Sequence, residues 1–249
     1  MIDPSFVGLY LDAMSAVLAI DTSTDACSVA LALSGETRAC HRIIPRAHNQ
    51  HIFSMVDEVL AGLRLSSVDQ FVCGIGPGSF TGLRIAVSVL QGLAWSLDKS
   101  VVPVCSLEAQ AQSVLQEQQW SSGWLLSSTD AQIGQVYWRL FRIDPAVPGG
   151  LVAVGEPAIS RPDRVELPSE VANLRVLGSG AVLKDQFTQL ANSQVSDWLP
   201  DVRPHASTMA EQVLAFPSLE KAVAPSELIP RYVQQDIGWK KLSEQPRRD

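Results

Sequence analysis

Short apolar runs rich in β-branched residues alternate along this chain with longer runs of helical period. In the first half the pattern predicts strands over 17–21, 27–33 and 36–43, a helix over 50–63, a strand over 70–75, a helix over 81–97, a strand over 101–105 and a helix over 106–118. Ser34-Gly35 provides a hairpin turn between the second and third strands. Three successive strands followed by alternating helices and strands predict an α/β lobe built on a mixed sheet. After a polar stretch at 116–123 the plan restarts, with strands over 124–129, 135–143 and 151–160, a helix over 163–172, a strand over 175–178, a helix over 180–191 and a last helix over 207–216. The second half echoes the first and suggests a duplication, although no residue-level repeat is visible. The expected division is an N-terminal extension at 1–15, a first lobe at 16–118, a second lobe at 119–235 and a basic tail at 236–249.

The helix over 81–97 is unusual in having almost no polar face. At 100° per residue, Leu83, Val87, Leu90, Ala94 and Leu97 form one stripe, enough to cover a sheet. The opposite side holds Ile85, Val89 and Trp95 around Ser88, Gly92 and Ser96, while Arg84 and Gln91 share a narrow strip between the two faces. A helix apolar on two sides is buried on two sides. The second side is covered either by more of this chain or by a partner, and its small residues suit the close approach of another helix. On the helix over 50–63, Ile52, Val56, Val59, Leu60 and Leu63 give a core stripe, with Phe53 and Met55 beside it as candidate contacts.

The preceding turn, Gly74-Ile75-Gly76-Pro77-Gly78-Ser79-Phe80-Thr81-Gly82, offers backbone freedom and a capping hydroxyl from Ser79 or Thr81. Its helix N-terminus could receive an anion. No Lys-Ser or Lys-Thr follows the glycines and their spacing is not G-x-G-x-x-G, so both a phosphate cradle and a plain packing turn stay open. Asp21-Thr22-Ser23-Thr24 follows the first strand at its carboxyl end, where an aspartate and hydroxyls can hold a metal–phosphate group or simply make a turn. His48-Asn49-Gln50-His51 has no carboxylate or thiolate placed by sequence to complete a ligand set, so no metal is expected there. Neither Ser23 nor Ser79 lies in G-x-S-x-G.

Composition narrows the function classes. With 46% hydrophobic residues in 249, the chain can bury a sizeable core. Its net charge of −7, with Lys240, Lys241, Arg247 and Arg248 clustered only at the tail, offers no basic stripe to a nucleic-acid backbone. Cys27, Cys40, Cys73 and Cys105 are dispersed in strand-like segments, which predicts buried thiols in a reducing, cytoplasmic setting. Residues 1–13 contain Asp3 and Asp12 and read as neither signal peptide nor membrane span, with Met14 an alternative start.

Several blocks resemble the bacterial TsaB (YeaZ) family. They are Ala19-Ile20-Asp21-Thr22-Ser23-Thr24 with Cys27-Ser28-Val29-Ala30, Arg46-Ala47-His48-Asn49-Gln50, and Gly76-Pro77-Gly78-Ser79-Phe80-Thr81-Gly82-Leu83-Arg84-Ile85. Asp130-Ala131 with Val136-Tyr137-Trp138, Gly178-Ser179-Gly180 and Pro230-Arg231-Tyr232-Val233 continue the match, which spans about residues 16 to 241 in order. The resemblance implies a two-lobed fold of the actin, Hsp70 and sugar kinase type, a duplicated RNase H-like α/β layout. It implies a part in making threonylcarbamoyladenosine on tRNAs that read codons starting with A. In that family the transfer belongs to a paralogue, TsaD, with this type of chain as its noncatalytic partner and an ATPase, TsaE, joining the pair. A fourth protein, TsaC or its longer variant, makes the carbamoyl-adenylate intermediate.

The same resemblance implies a heterodimer through the helices at 50–63 and 81–97, placing Phe53, Ile85, Ser88, Val89, Gly92 and Trp95 at the contact. A homodimer through these helices is expected of the isolated protein. Asp21, Thr22, Ser23, Gly76, Gly78 and Ser79 would be a vestigial phosphate site. No cofactor is required, ATP or ADP being assigned to the heterodimer contact, and tRNA is met only through the complex, with no membrane involved. His41, His48, His51 and His205 contain no H-x-x-x-H pair of the TsaD kind. Thr22 and Ser23 stand where active kinases of the fold commonly carry glycine, and Gln132 stands where relatives often have arginine. The alternative function is an ATP-dependent phosphotransferase using Asp21 with Mg²⁺ and the Gly76–Gly82 turn.

Overall fold

The computed structural model describes residues 16–192, 195–217 and 221–233. The expected N-terminal extension at 1–15 and the basic tail at 236–249 lie outside the described residues. The chain forms β1 (Ala16–Asp21), β2 (Ala26–Leu33), β3 (Glu36–Ile43), α1 (His48–Leu60), β4 (Gln70–Gly76), α2 (Phe80–Ser96), β5 (Val101–Cys105) and α3 (Ser106–Gln118). There follow β6 (Trp124–Asp130), β7 (Val136–Ile143), β8 (Leu151–Ser160), β9 (Leu174–Leu177), β10 (Val195–Leu199) and α4 (Ala206–Ala215). Two five-stranded sheets result, in the orders β3-β2-β1-β4-β5 and β10-β9-β6-β7-β8. Read from its other edge, the second order repeats the first. In each sheet the leading strand pairs antiparallel with the next and parallel with the fourth, so the duplicated, mixed-sheet α/β fold is present.

Central position explains the run of five apolar residues in β1, which are buried together with Asp21. Alternation divides them between two layers. Leu18 and Ile20 join Val29, Leu31, Phe71 and the inner faces of α1 and α2, whereas Val17 and Ala19 join Ala30, Ala32, Val72 and the Ala206, Met209, Ala210 and Val213 face of α4. The alanines of this second layer let α4 lie close to the first sheet, although α4 follows the second sheet in sequence. At the edge of the first sheet, β3 carries Arg38 and Arg42, paired with Glu36 and Glu58, a charged margin that discourages strand addition.

The second half departs from expectation in its helices. Residues 163–172 contain Pro168, which cannot continue a helix, and only a short 3₁₀ turn at Pro162–Arg164 forms. The helix expected at 180–191 is replaced by 3₁₀ turns, Ser179–Gln186 and Thr188–Asn192. Ala181, Phe187 and Leu190 are buried there at multiples of three residues, the period of a 3₁₀ helix. β10 is an additional edge strand whose Trp198 packs on Phe187 with ring centroids 5.6 Å apart.

Candidate functional site

The fold brings Asp21, Thr22, Ser23, Gly76, Gly78 and Ser79 together where the carboxyl end of β1 meets the turn from β4 to α2. Asp21 is buried, and each of its carboxylate oxygens is engaged. Oδ1 accepts from the Ser23 amide at 2.8 Å and the Ser23 hydroxyl at 2.7 Å, and Oδ2 accepts from the Ser106 hydroxyl at 2.7 Å. Ser106 Oγ in turn accepts from the Gly76 amide at 3.0 Å. Burial pushes the Asp21 carboxyl above its ordinary range, opposed by the bonds from Ser23 and Ser106.

Thr22 donates to the Gly82 carbonyl at 2.7 Å, and the Ser79 amide donates to the Ser23 carbonyl at 2.7 Å. Ser79 caps α2 by accepting from the Gly82 amide at 3.2 Å, which decides between the two expected capping residues. The glycines serve this close approach. A Cβ on Gly74 would overlap the Asp21 carboxylate, and one on Gly78 or Gly82 would overlap the Ser23 or Thr22 carbonyl. Beside the turn, a cavity of about 30 Å³ lies among Pro77, Gly78, Tyr137 and Tyr232, water-sized rather than nucleotide-sized. The Gly76–Gly82 turn is therefore closed onto β1, and its hydroxyls hold backbone.

The second lobe has a counterpart. Gly178 and Gly180 follow β9 and press against Ser128 at the end of β6, while Ser179 accepts from the Asp130 amide at 3.0 Å. Gln132 sits in the adjoining turn with φ of 60° and an exposed side chain, its amide bonded to Asp130 Oδ1 at 2.8 Å. Among the described residues no group of three His, Cys, Asp or Glu side chains could hold a metal ion. An open groove of about 830 Å³ lined by Gln116, Glu117, Trp198, Arg203 and His205 lies between α3 and the segment after β10, away from the glycine turn. No described helix is long and apolar enough to cross a membrane.

The outer face of the first lobe is a different kind of site. Leu83, Ala86, Val87, Leu90 and Ala94 of α2 are buried on the sheet, and Leu97, expected among them, is half-buried at the helix end. On the far side Ser88 and Gly92 are exposed, Ile85 and Val89 are half-buried, and Trp95 is 71% exposed. A Cβ on Gly92 would meet no heavy atom within 4 Å. On α1, Phe53 is 57% exposed, while Met55 is fully buried and so belongs to the core; Leu63 lies beyond the helix and is exposed. Sequence reasoning missed the use made of the Arg84–Gln91 strip. Gln91 donates to the Leu228 carbonyl at 2.9 Å and Arg84 to the Tyr232 hydroxyl at 3.0 Å, so the strip seats the C-terminal segment. Two long polar residues seven apart on an otherwise apolar helix were the available signal.

A filled glycine turn and an exposed apolar helix face characterise this duplicated α/β protein. Residues 41–189 match the family model described as "TsaD: tRNA N6-adenosine threonylcarbamoyltransferase". The chain is similar to the "tRNA threonylcarbamoyladenosine biosynthesis protein TsaB" of Haemophilus influenzae, 32% identical over 235 residues, 91% of this chain and 96% of that one. It is likewise 32% identical over 243 residues to the protein of the same description from Escherichia coli, covering 91% and 97% of the two chains. Among solved structures, "YeaZ from Pseudomonas aeruginosa" superposes with a TM-score of 0.79 at 33% identity, over 88% of this chain and all of that one. The chain belongs to the TsaB (YeaZ) family.

Proposed function

We propose that this chain is the noncatalytic partner of a TsaD-type subunit in the complex that makes threonylcarbamoyladenosine on tRNAs reading codons that start with A. The observation that carries the proposal is the outer face of α2, where Trp95 is 71% exposed beside Ser88 and Gly92 on a helix whose other side already covers the sheet. The descriptions of the relatives and the TsaD family model support the pathway. The closed glycine turn supports a supporting rather than a chemical role, since Asp21, Thr22, Ser23 and Ser79 spend donors and acceptors on one another, on Gly82 and on Ser106.

In this reading TsaD binds Phe53, Ile85, Ser88, Val89, Gly92 and Trp95, TsaE joins the pair, and the chain works in the cytoplasm. In the absence of TsaD, two copies cover the same face. ATP or ADP belongs to the contact between subunits, and no cofactor is required by this chain. The net charge of −7 favours tRNA being held by TsaD rather than here. The test is copurification with the TsaD of the same organism, followed by tRNA modification with and without this chain. Stable copurification and modification only when both are present are expected. Steady ATP turnover by the chain alone, abolished by Asp21→Ala, would instead make it a phosphotransferase.

A further inference from the structure

The segment 221–233 forms a strap along the first lobe. Val223 bridges edge strand β5 through paired bonds of 2.9 Å with Val101, Leu228 is buried in the core under α2, and the Arg231 amide donates to the Ile75 carbonyl at 2.8 Å. This seating turns Ile229 outward, 69% exposed, and leaves Tyr232 half-exposed next to Phe80, their ring centroids 5.4 Å apart. Helical spacing sets Arg84 and Gln91, which hold the strap, directly beside the Ser88 and Trp95 edge of the outer face. The exposed apolar surface therefore continues from α2 onto the strap.

Arg84 stands in the middle of that surface as the single charged side chain of α2. Its guanidinium lies 3.7 Å from the centroid of the Phe80 ring, and Nε is committed to the Tyr232 hydroxyl. Among the described residues no bond or ion pair engages its two terminal nitrogens. A guanidinium held by a ring and a hydroxyl loses little freedom on binding, and its free edge matches a planar, doubly accepting anion. Buried arginines flanked by aromatic rings are the residue types that dominate association energies.

We infer that the strap is a third element of the partner surface, and that Arg84 receives a carboxylate from the heterologous subunit. The inference rests on the partnership proposed above. Charge favours that occupant over a second copy, because a second α2 brings another arginine and no acid. On α1 the exposed acids are Asp57 and Glu58, with Glu58 already paired with Arg42, and on the strap Glu227 already accepts from the Ala224 amide, which leaves Asp57 as the competing acid of a second copy. A nucleotide phosphate is disfavoured by shape, the adjoining cavity being about 30 Å³. Two arginines, Arg84 and the exposed Arg231, among apolar side chains are also a poor match for a nucleic-acid backbone.

The test measures affinity for the TsaD subunit by calorimetry, in parallel with thermal melts, for wild type, Arg84→Met, Arg84→Lys, Ile229→Ser and Gly92→Arg. Loss of the charged pair in Arg84→Met is expected to weaken binding by about 10- to 100-fold, the range of a hydrogen bond to a charged group. Arg84→Lys should fail to restore it, Ile229→Ser should weaken it less, and the salt dependence seen for wild type should diminish in Arg84→Met. Melting temperatures near wild type would place these losses at the interface. If Arg84→Met and Ile229→Ser bind as wild type while Gly92→Arg does not, the helix face stands and the strap inference falls. If Gly92→Arg also binds normally, the partner surface itself is elsewhere. If Arg84→Met weakens only self-association, and Asp57→Asn does the same, the arginine serves a second copy and the inference is overturned.

Discussion

Gly92→Arg separates the stability of this protein from its association more sharply than any other single change. The site is open, with no heavy atom within 4 Å of an added Cβ, so the free chain accepts the side chain without displacement. Replacing an exposed mid-helix glycine with a good helix former contributes up to about 1 kcal/mol. For a chain of this length that corresponds to a rise in melting temperature of up to about 2–4 °C. Association should respond oppositely. A guanidinium without a partner, enclosed beside Ser88 and Trp95, costs about 3–5 kcal/mol, which is a loss of more than about 100-fold in affinity. The assay pairs a circular dichroism melt of the free variant, at concentrations where wild type and variant are both monomeric, with size exclusion and calorimetry against TsaD. An unchanged or higher melting temperature with loss of the complex is the expected result. Wild-type affinity would refute the placement of the partner on α2, and a much lower melting temperature would refute the exposure of this face.

Gly78→Ala and Gly82→Ala put a methyl group into the Ser23 and Thr22 carbonyls, so each should lower stability by about 1–3 kcal/mol in urea titration, whereas Gly92→Ala should raise it. Asp21→Ala leaves the Ser23 amide and the Ser23 and Ser106 hydroxyls without their buried acceptor; the melting temperature should fall, and an ATPase assay should read no turnover in wild type or variant. Burial, with stacked His205 at 4.0 Å and nearby Arg203, pushes His41 down to about 4 from an ordinary 6.5. The fold thus favours the neutral ring. Its contribution is complete above pH 6.5 and is lost as pH falls toward 4, and His41→Phe should flatten stability over that window in pH-dependent denaturant melts.

Elements whose own residues dictate their conformation were legible in the sequence. β3, β5, α3 and β8 coincide with their expected bounds because alternation or helical period runs unbroken between turn residues. The failures lie where tertiary contacts choose. Pro168 ends the helix expected over 163–172, and Val165 and Val171 reach the second core from irregular backbone. Met55 looks like a flank residue by angle but is drawn fully into the core of the first lobe. The closeness of Asp21, Ser23 and Ser79 was foreseeable from strand ends meeting a glycine turn. That Ser106 joins them, 85 residues from Asp21, depended on how α3 starts beside β4 and was not. The strap was invisible because its seat is a pair of polar side chains, Arg84 and Gln91, that read equally well as solvated.

The two lobes show what became of the glycine turns. In each, glycines after the fourth strand allow the turn to press on the end of the leading strand: Gly78 and Gly82 on Ser23 and Thr22, Gly178 and Gly180 on Ser128. A turn that lends its amides and hydroxyls to a phosphate must keep them facing an open space. Here the Ser79 amide goes to the Ser23 carbonyl, and the Thr22 hydroxyl goes to the Gly82 carbonyl. These bonds tie the start of α2 to the most buried strand of the first sheet. The same contacts that fill the cleft therefore fix the helix that carries Arg84, Ser88, Gly92 and Trp95. A substitution at Gly78 or Gly82 should be felt at the proposed partner surface through the position of α2, although neither glycine belongs to that surface.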